Sequence, residues 1–470
     1  MLTRSDFLPV ACLFSSLIGT SCVVGPDFKL PEMQLTARWK QHADISDLAL
    51  PDQWWTLFRN STLNGLVDRA LLYNQDLASA EARVATARAM LGVDRAAWFP
   101  QLSMDNRAAY EQLSANSIGA NLPPGVPLPP LERDRHQAFG NLSYEIDLWG
   151  KVRRSVEASK ARETASVENL AAQRLVIAAE VSRSFFQIAS LDAQEAILQE
   201  TIGLRQESLS LQQSRFQGGL ANEMDVARSR TELELAKNDK INIERQRGNA
   251  ENALAVLCGE LPSSFCLAQN RHLPSPPRLA AGVPSTLLQR RPDIRAAEQA
   301  MREANANVGV AKANFYPAFS LVGNGGLESV GAEDFLEWKS RTANIGPQLS
   351  IPLFQGGRLR GNMRSAQAKY QESVAAYRQS ILTALGEVEN AMLDVNAYGR
   401  QRAAVSAAVA ASQETSKLAR LRYDKGLASY FEVVDADRTV LTTRLLQAQL
   451  DGQRLTATVQ MIRALGGGWK

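Results

Sequence analysis

Two long stretches of the chain place apolar or small residues in alternating steps of four and three. One runs through Tyr370, Val374, Tyr377, Ile381, Ala384, Val388, Ala391, Val395 and Tyr398, with Val405 and Val409 on the same stripe; the earlier one runs through Ile177, Val181, Ile188, Leu191, Leu198, Ile202 and Leu209. This spacing is a coiled-coil seam. Neither run contains Pro, so the pattern predicts helices reaching from the Gly150 and Gly357 regions to turns at Gly218-Gly219 and Gly426. At about 1.5 Å per residue, each is a rod of roughly 100 Å. Beyond each turn a second helix is predicted, about 222 to 257 and about 429 to 465, giving two antiparallel hairpins. Frequent Ala lets such helices approach closely, and the Arg, Glu and Gln on other faces meet water or polar partners.

Four shorter segments alternate with a period of two. Leu102, Met104, Ala108 and Tyr110 oppose Gln101, Ser103, Asp105, Arg107 and Glu111, while Leu142, Tyr144, Ile146 and Leu148 oppose Asn141, Ser143, Glu145 and Asp147. Phe319 and Leu321 oppose Ser320, and Ile345, Leu349, Ile351 and Leu353 oppose Asn344, Gln348 and Ser350. The pattern predicts strands with one apolar and one strongly polar face. A soluble sandwich shows the same alternation, but in an exported chain it fits barrel strands with lipid outside and a wet lumen inside. Single-chain barrels begin at about eight strands, so four require other subunits. Pro347 is tolerated best on an edge strand or at a bulge. The connector Leu113 to Arg135, with Pro123, Pro124, Pro127, Pro129 and Pro130, reads as an exposed external loop.

The chain is an internal duplication. Asn74 to Ser103 matches Arg291 to Ser320 at Asp76/Asp293, Ala80/Ala297, Glu81/Glu298, Gly92/Gly309 and Pro100/Pro317, and Arg215-Phe216 with Gly219-Leu220-Ala221 recurs as Arg422-Tyr423 with Gly426-Leu427-Ala428. The expected organisation is a signal peptide over 1–21, an N-terminal segment over 22–61 and two structural repeats. The first, 62–283, carries strands at about 101–113 and 136–149 and a hairpin at about 150–259; the second, 284–470, carries strands at about 317–329 and 341–354 and a hairpin at about 357–467.

Composition and isolated motifs mainly exclude. A net charge of +3 from 52 basic and 49 acidic residues, with no Lys/Arg block, gives no case for nucleic acid. His42, His136 and His272 are scattered without metal-ligand spacing, and Gly323-Asn324-Gly325-Gly326 lacks the phosphate-binding pattern. No catalytic residue, metal or cofactor is expected, and rods provide no compact enzyme pocket. Arg4 precedes the apolar stretch Phe7 to Gly19, and Gly19-Thr20-Ser21-Cys22 follows, the layout of a secretory signal. A Cys after small residues resembles the processing site of bacterial lipoproteins, which would make Cys22 the acylated first residue; an ordinary signal with a chance Cys is the alternative. Cys258 and Cys266 flank a turn containing Gly259 and Pro262, so a small-loop disulfide and two buried thiols are both open.

Cys22-Val23-Val24-Gly25-Pro26-Asp27-Phe28, Trp54-Trp55 before Phe58, Leu63-Asn64-Gly65-Leu66, Arg291-Pro292-Asp293-Ile294, Phe315-Tyr316-Pro317, Pro352-Leu353-Phe354 with Gly356-Gly357, and Val434-Asp435-Ala436 together resemble the outer-membrane efflux channels of the TolC type, particularly their NodT-like lipoprotein branch. The resemblance spans essentially the whole mature chain. It implies a mixed α and β membrane protein of a Gram-negative outer membrane: a homotrimer whose subunits each give four strands to a shared twelve-stranded barrel and two helical hairpins to a periplasmic tunnel, with Cys22 anchored in outer-membrane lipid. It further implies a gated, passive exit duct for small molecules in a tripartite pump, partnered by a periplasmic adaptor (membrane fusion) protein and an inner-membrane efflux transporter. A type I protein-secretion duct shares this fold, and a secreted structural coiled coil shares the rods.

Candidate sites follow from that resemblance. The tips Gly218-Gly219-Leu220-Ala221 and Gly426-Leu427-Ala428-Ser429 are the adaptor-docking candidates, although Gly also serves a sharp helix reversal. Glu432 and Asp435, three apart on one helix face, are expected to line a periplasmic constriction, with Asp225 and Arg228 as partner charges. The alternative for the acidic pair is a solvated helix face.

Overall fold

The computed structural model describes residues 23–33, 36, 38–40, 50–116, 130–271, 273–277, 279 and 284–468. The signal peptide and Cys22 lie outside the described residues. Helices α1 (Ser61–Tyr73) and α2 (Gln75–Ala96) lead into strands β1 (Gln101–Gln112) and β2 (Glu132–Ile146), then the hairpin α3 (Lys151–Gln217) and α4 (Glu223–Leu257). The order repeats with α5 (Pro292–Ala313), β3 (Ala318–Ser329), β4 (Arg341–Ser350) and the hairpin α6 (Arg358–Asp424) and α7 (Tyr430–Ala464).

Strand β2 starts at Glu132, inside the Pro-rich connector, because Arg133 and Arg135 pair across the ladder with Glu111 and Ala109. β4 stops at Ser350, ahead of Pro352, and Leu353 and Phe354 follow it as coil. No described helix is long and apolar enough to cross a membrane.

Each repeat builds the same elements, yet the compact units draw on both. Among the described residues, one draws on the segments within 23–31, 85–165 and 298–376, and the other on those within 32–84, 166–297 and 377–468. The first holds the sheet, antiparallel throughout in the order β1-β2-β3-β4. Val23 to Phe28 pack in this unit too. Val24 N donates to Trp149 O at 3.0 Å, Asp27 pairs with Arg154 at 3.0 Å, and Arg302 lies 4.3 Å over the Phe28 ring.

The second unit holds the main core. Trp54, Trp55, Phe58, Leu63 and Leu66 bury against Phe185, Phe186, Leu254, Leu455 and Val459, with the Phe58 and Phe186 rings 4.8 Å apart. Burying each such side chain is worth about 1.5–3 kcal/mol before the entropy of ordering it. Most of the predicted seam is buried, through Ile177, Val181, Ile188, Leu191, Leu198 and Leu209 on α3 and Tyr377, Ile381, Ala384, Val388, Ala391 and Val409 on α6, whereas Ile202, Tyr370, Val374, Val395, Tyr398 and Val405 are only half-buried. Gly452 lets α7 approach α3, since a Cβ there would lie 2.5 Å from Ser190 Cβ, and Ser190 Oγ donates to Ala448 O at 3.0 Å. The Arg291-Pro292-Asp293-Ile294 motif is structural: Arg291, buried, pairs with Asp293 and Glu387 at 2.7 Å each and donates to Ala464 O at 3.0 Å.

Candidate functional site

The register sorts the sheet into two chemical faces. Leu102 pairs with Leu142, Leu142 with Gly323 and Gly323 with Ile345, continuing the apolar face through Met104, Ile146, Phe319, Leu321 and Leu349. Leu102 and Met104 are 79% and 70% exposed, more apolar surface than a strand leaves to water without a covering partner. The other face is polar. Ser103, Asn141, Asn324 and Asn344 form one row across all four strands, and Asn141 Nδ2 donates to Asp105 Oδ2 at 2.6 Å. The Gly323-Asn324-Gly325-Gly326 motif belongs to this sheet: Gly326 pairs with Phe139, and a Cβ there would meet Ala138 O.

Aromatic residues collect where the strands begin and end. Trp98, Phe99, Trp149, Phe315, Tyr316 and Phe354 cluster at one rim, where the Trp149 and Tyr316 rings stack at 4.8 Å and Trp149 Nε1 donates to Pro317 O at 2.8 Å. Phe335 and Trp338 stand in the β3–β4 connection at the other. Strands of ten to fifteen residues, apolar on one face and set between aromatic rims, have the length of a bilayer-spanning barrel wall. β1 and β4 each pair on one side only, leaving two open edges, and Pro347 sits on edge strand β4.

The hairpin tips form the second candidate region. Gly219 and Gly426 both adopt φ +72°, Leu220 N donates to Arg215 O at 2.7 Å and Leu427 N to Arg422 O at 2.8 Å, and the bonds Gly219 N to Phe216 O and Gly426 N to Tyr423 O complete the pattern. This is the Schellman motif, in which glycine satisfies orphan carbonyls and reverses the chain. Gly218, Ala221, Ala428 and Ser429 complete the tips, and Leu220 and Leu427 remain 83% and 67% exposed.

Glu432 and Asp435 are both exposed in the first turns of α7, and the Glu432 carboxylate lies 3.8 Å from Arg422. Asp225 occupies the first turn of α4, where a carboxylate complements the helix dipole, and its backbone N is capped by Asn222 Oδ1 at 2.9 Å. Arg228 lies 4.9 Å over the ring of Phe431, beside Glu432, and forms no ion pair among the described residues. Arg215 likewise lies 5.1 Å over the Tyr423 ring, so the tips are brought together by two cation–π contacts rather than by paired charges. Cys258 and Cys266 are free thiols. Cys258 is buried and approaches Leu66 O at 3.7 Å, whereas Cys266 is exposed, so the turn does not bring the two together.

Two turns behind the tips lies a junction that periodicity did not reveal. Glu232 of α4, buried, is held by Arg205 of α3 at 3.1 Å and by Arg438 of α7, whose Nε and Nη2 both donate to Glu232 Oε1. Burial pulls the Arg205 guanidinium below its ordinary value against the opposing Glu232 charge. Tyr430 Oη bonds Ser208 Oγ and Ser229 Oγ at 2.8 Å each, Tyr423 Oη meets Gln212 at 3.1 Å, and Arg444 reaches Glu200 at 2.7 Å. The signal was a carboxylate on the buried stripe Ser229, Leu233 and Ala236. No described cluster of His, Cys, Asp and Glu is arranged to hold a metal.

The family signature of outer membrane efflux proteins matches residues 66–260 and 283–467. The outer membrane protein OprJ of Pseudomonas aeruginosa is 31% identical over 99% of this chain and 97% of its own length, and the toluene efflux pump outer membrane protein TtgI of Pseudomonas putida is 31% identical over 97% of each. The cation efflux system protein CusC of Escherichia coli is 29% identical over 97% of each chain. Among solved structures, the outer-membrane channel OprN superposes with a TM-score of 0.87 at 29% identity, over 95% of this chain and all of that one. The Campylobacter jejuni CmeC outer membrane channel gives 0.85 at 26% identity, over 96% of each.

Proposed function

Because this chain belongs to the outer membrane efflux protein family, we propose that it is the outer-membrane duct of a tripartite efflux pump, conducting small molecules passively to the exterior. The observation that carries the reading is the sheet: one face suits lipid, the other suits water, and both edges are open. An open strand edge in hydrocarbon leaves unpaired backbone groups costing several kcal/mol each, so closure through neighbouring copies is required. Three copies give twelve strands. Their hairpins continue the duct into the periplasm, and an acyl chain on Cys22 anchors each N-terminus.

The exposed Leu220 and Leu427 at glycine-built tips suit the apolar flank of a helical hairpin on a periplasmic adaptor, which in turn couples the duct to an inner-membrane transporter. Specificity belongs mainly to that transporter: relatives named for toluene, cations and antibiotics share one chain plan at about 30% identity. Glu432 and Asp435 are exposed, which supports reading three copies of each as two acidic rings at the tip, and carboxylate rings favour cations.

Single-channel recording of the purified mature protein in planar bilayers tests both parts. Discrete cation-selective openings are expected, longer or larger in Glu432→Ala/Asp435→Ala. Openings indifferent to the substitutions would keep the duct and remove the gate; a membrane-inserted trimer without conductance would remove the duct.

A further inference from the structure

A groove of about 540 Å³ runs along the seam of α3 and α7 in the second unit, flanked by α4 and α6. Its size falls in the range of small-molecule sites. Those two helices turn Phe186 and Leu455 into the Trp54 core and present a different edge to the groove. That edge is built from carboxamides: Gln187 of α3, Gln246 of α4, and Gln453 and Gln460 of α7. None of the four forms a hydrogen bond within the protein among the described residues, so each keeps a donor and an acceptor for another molecule. On α6, Asp394 and Tyr398 stand one turn apart on a single face of the same groove. Asp394 has no ion pair among the described residues, whereas Arg183, the groove's only guanidinium, is occupied by Glu180. The wall therefore carries one uncompensated carboxylate beside an aromatic ring, surrounded by neutral hydrogen-bonding groups.

We propose that this groove is a binding site for organic cations bearing hydrogen-bond donors, with Asp394 pairing the cationic centre, the Tyr398 ring lying against it and the glutamine carbonyls accepting from its N–H or O–H groups. A cation gains from a carboxylate and from a ring face together, and carboxamides grip polar substituents without adding charge. As a transit site on the wall of the duct it rests on the function proposed above; the binding itself does not.

Ethidium, a planar cation carrying amines, is the probe. Its fluorescence anisotropy is titrated with the purified full-length protein in detergent, against fluorescein as the anionic control. Saturable ethidium binding is expected, weakened about tenfold or more in Asp394→Asn and about threefold in Tyr398→Leu, with fluorescein at background. Asp424→Asn removes an exposed carboxylate from the end of the same helix, outside the groove, and should leave binding unchanged. Gln453→Leu tests the carboxamide wall without touching a charge and should weaken binding severalfold. Undiminished binding in Asp394→Asn, an equal loss in Asp424→Asn, or comparable fluorescein binding overturns the site. Conductance of dye-free wild type is recorded in parallel: binding without conductance removes the duct alone, and conductance without binding removes the site alone.

Discussion

At the scale of single residues, burial decides chemistry that composition leaves open. Cys258 and Cys266 have the same side chain and flank one stretch of turns, yet burial pushes the Cys258 thiol up to about 11 while Cys266 stands in solvent. The thiolate is the reactive form, so Cys258 is inert near neutral pH. Iodoacetamide at pH 8 is expected to alkylate Cys266 in the native protein and Cys258 only after denaturation. A disulfide would instead block both in the absence of reductant, before and after unfolding. Arg228 makes the same point for charge. Its neighbours in sequence suggest an ion pair, but Phe431 comes within reach and takes the guanidinium on its face.

At the scale of elements, the hairpins are set by local codes and joined by distant ones. The four-three seams, Pro-free rods and Schellman glycines all read from adjacent residues, and the folded helices follow them from Lys151 to Gln217 and from Arg358 to Asp424. What fastens one hairpin to the other does not. Glu232 and Arg438 are 206 residues apart in the chain, and Arg205 completes the clamp. Removing the carboxylate strands Arg205 in a site where its side chain is 13% exposed. Glu232→Ala is expected to destabilise the second unit by roughly 2–3 kcal/mol, discounted because Arg438 can return to water. Urea unfolding followed by circular dichroism measures it, and a change below about 0.5 kcal/mol, the range of ordinary surface substitutions, would show that the clamp contributes nothing. Glu200, by contrast, is partly exposed, and its hydrogen bond from Arg444 holds its carboxyl below the usual value. That link stabilises above the unfolded carboxylate value and is lost as pH falls through the lower folded one.

At the scale of the whole molecule, the chain cannot satisfy its own sheet. β1 and β4 end the order with unpaired edges, and the exposed Leu102, Met104, Ile345 and Leu349 need a nonaqueous neighbour. Native mass spectrometry of the detergent-solubilised mature protein is expected to give three copies. A stable monomer would remove the twelve-strand closure, and a dimer would limit the barrel to eight strands. The duplication acquires its physical meaning here as well, because a four-stranded sheet arises only by laying the strand pair of one repeat beside that of the other, with β2 against β3.

Local patterns alone were legible in the chain: rods from steps of three and four, two-faced strands from steps of two, and hairpin turns from Gly219 and Gly426. These depend on backbone geometry shared by neighbouring residues, so the code is local. Folding in three dimensions settles which β-strands adjoin, that the compact units draw on both repeats, that Arg291 serves a structural clamp, that Glu232 meets Arg205 and Arg438, and that Asp394 and the glutamines line one groove. Those outcomes depend on distances between residues far apart along the chain, and no local pattern encodes a distance.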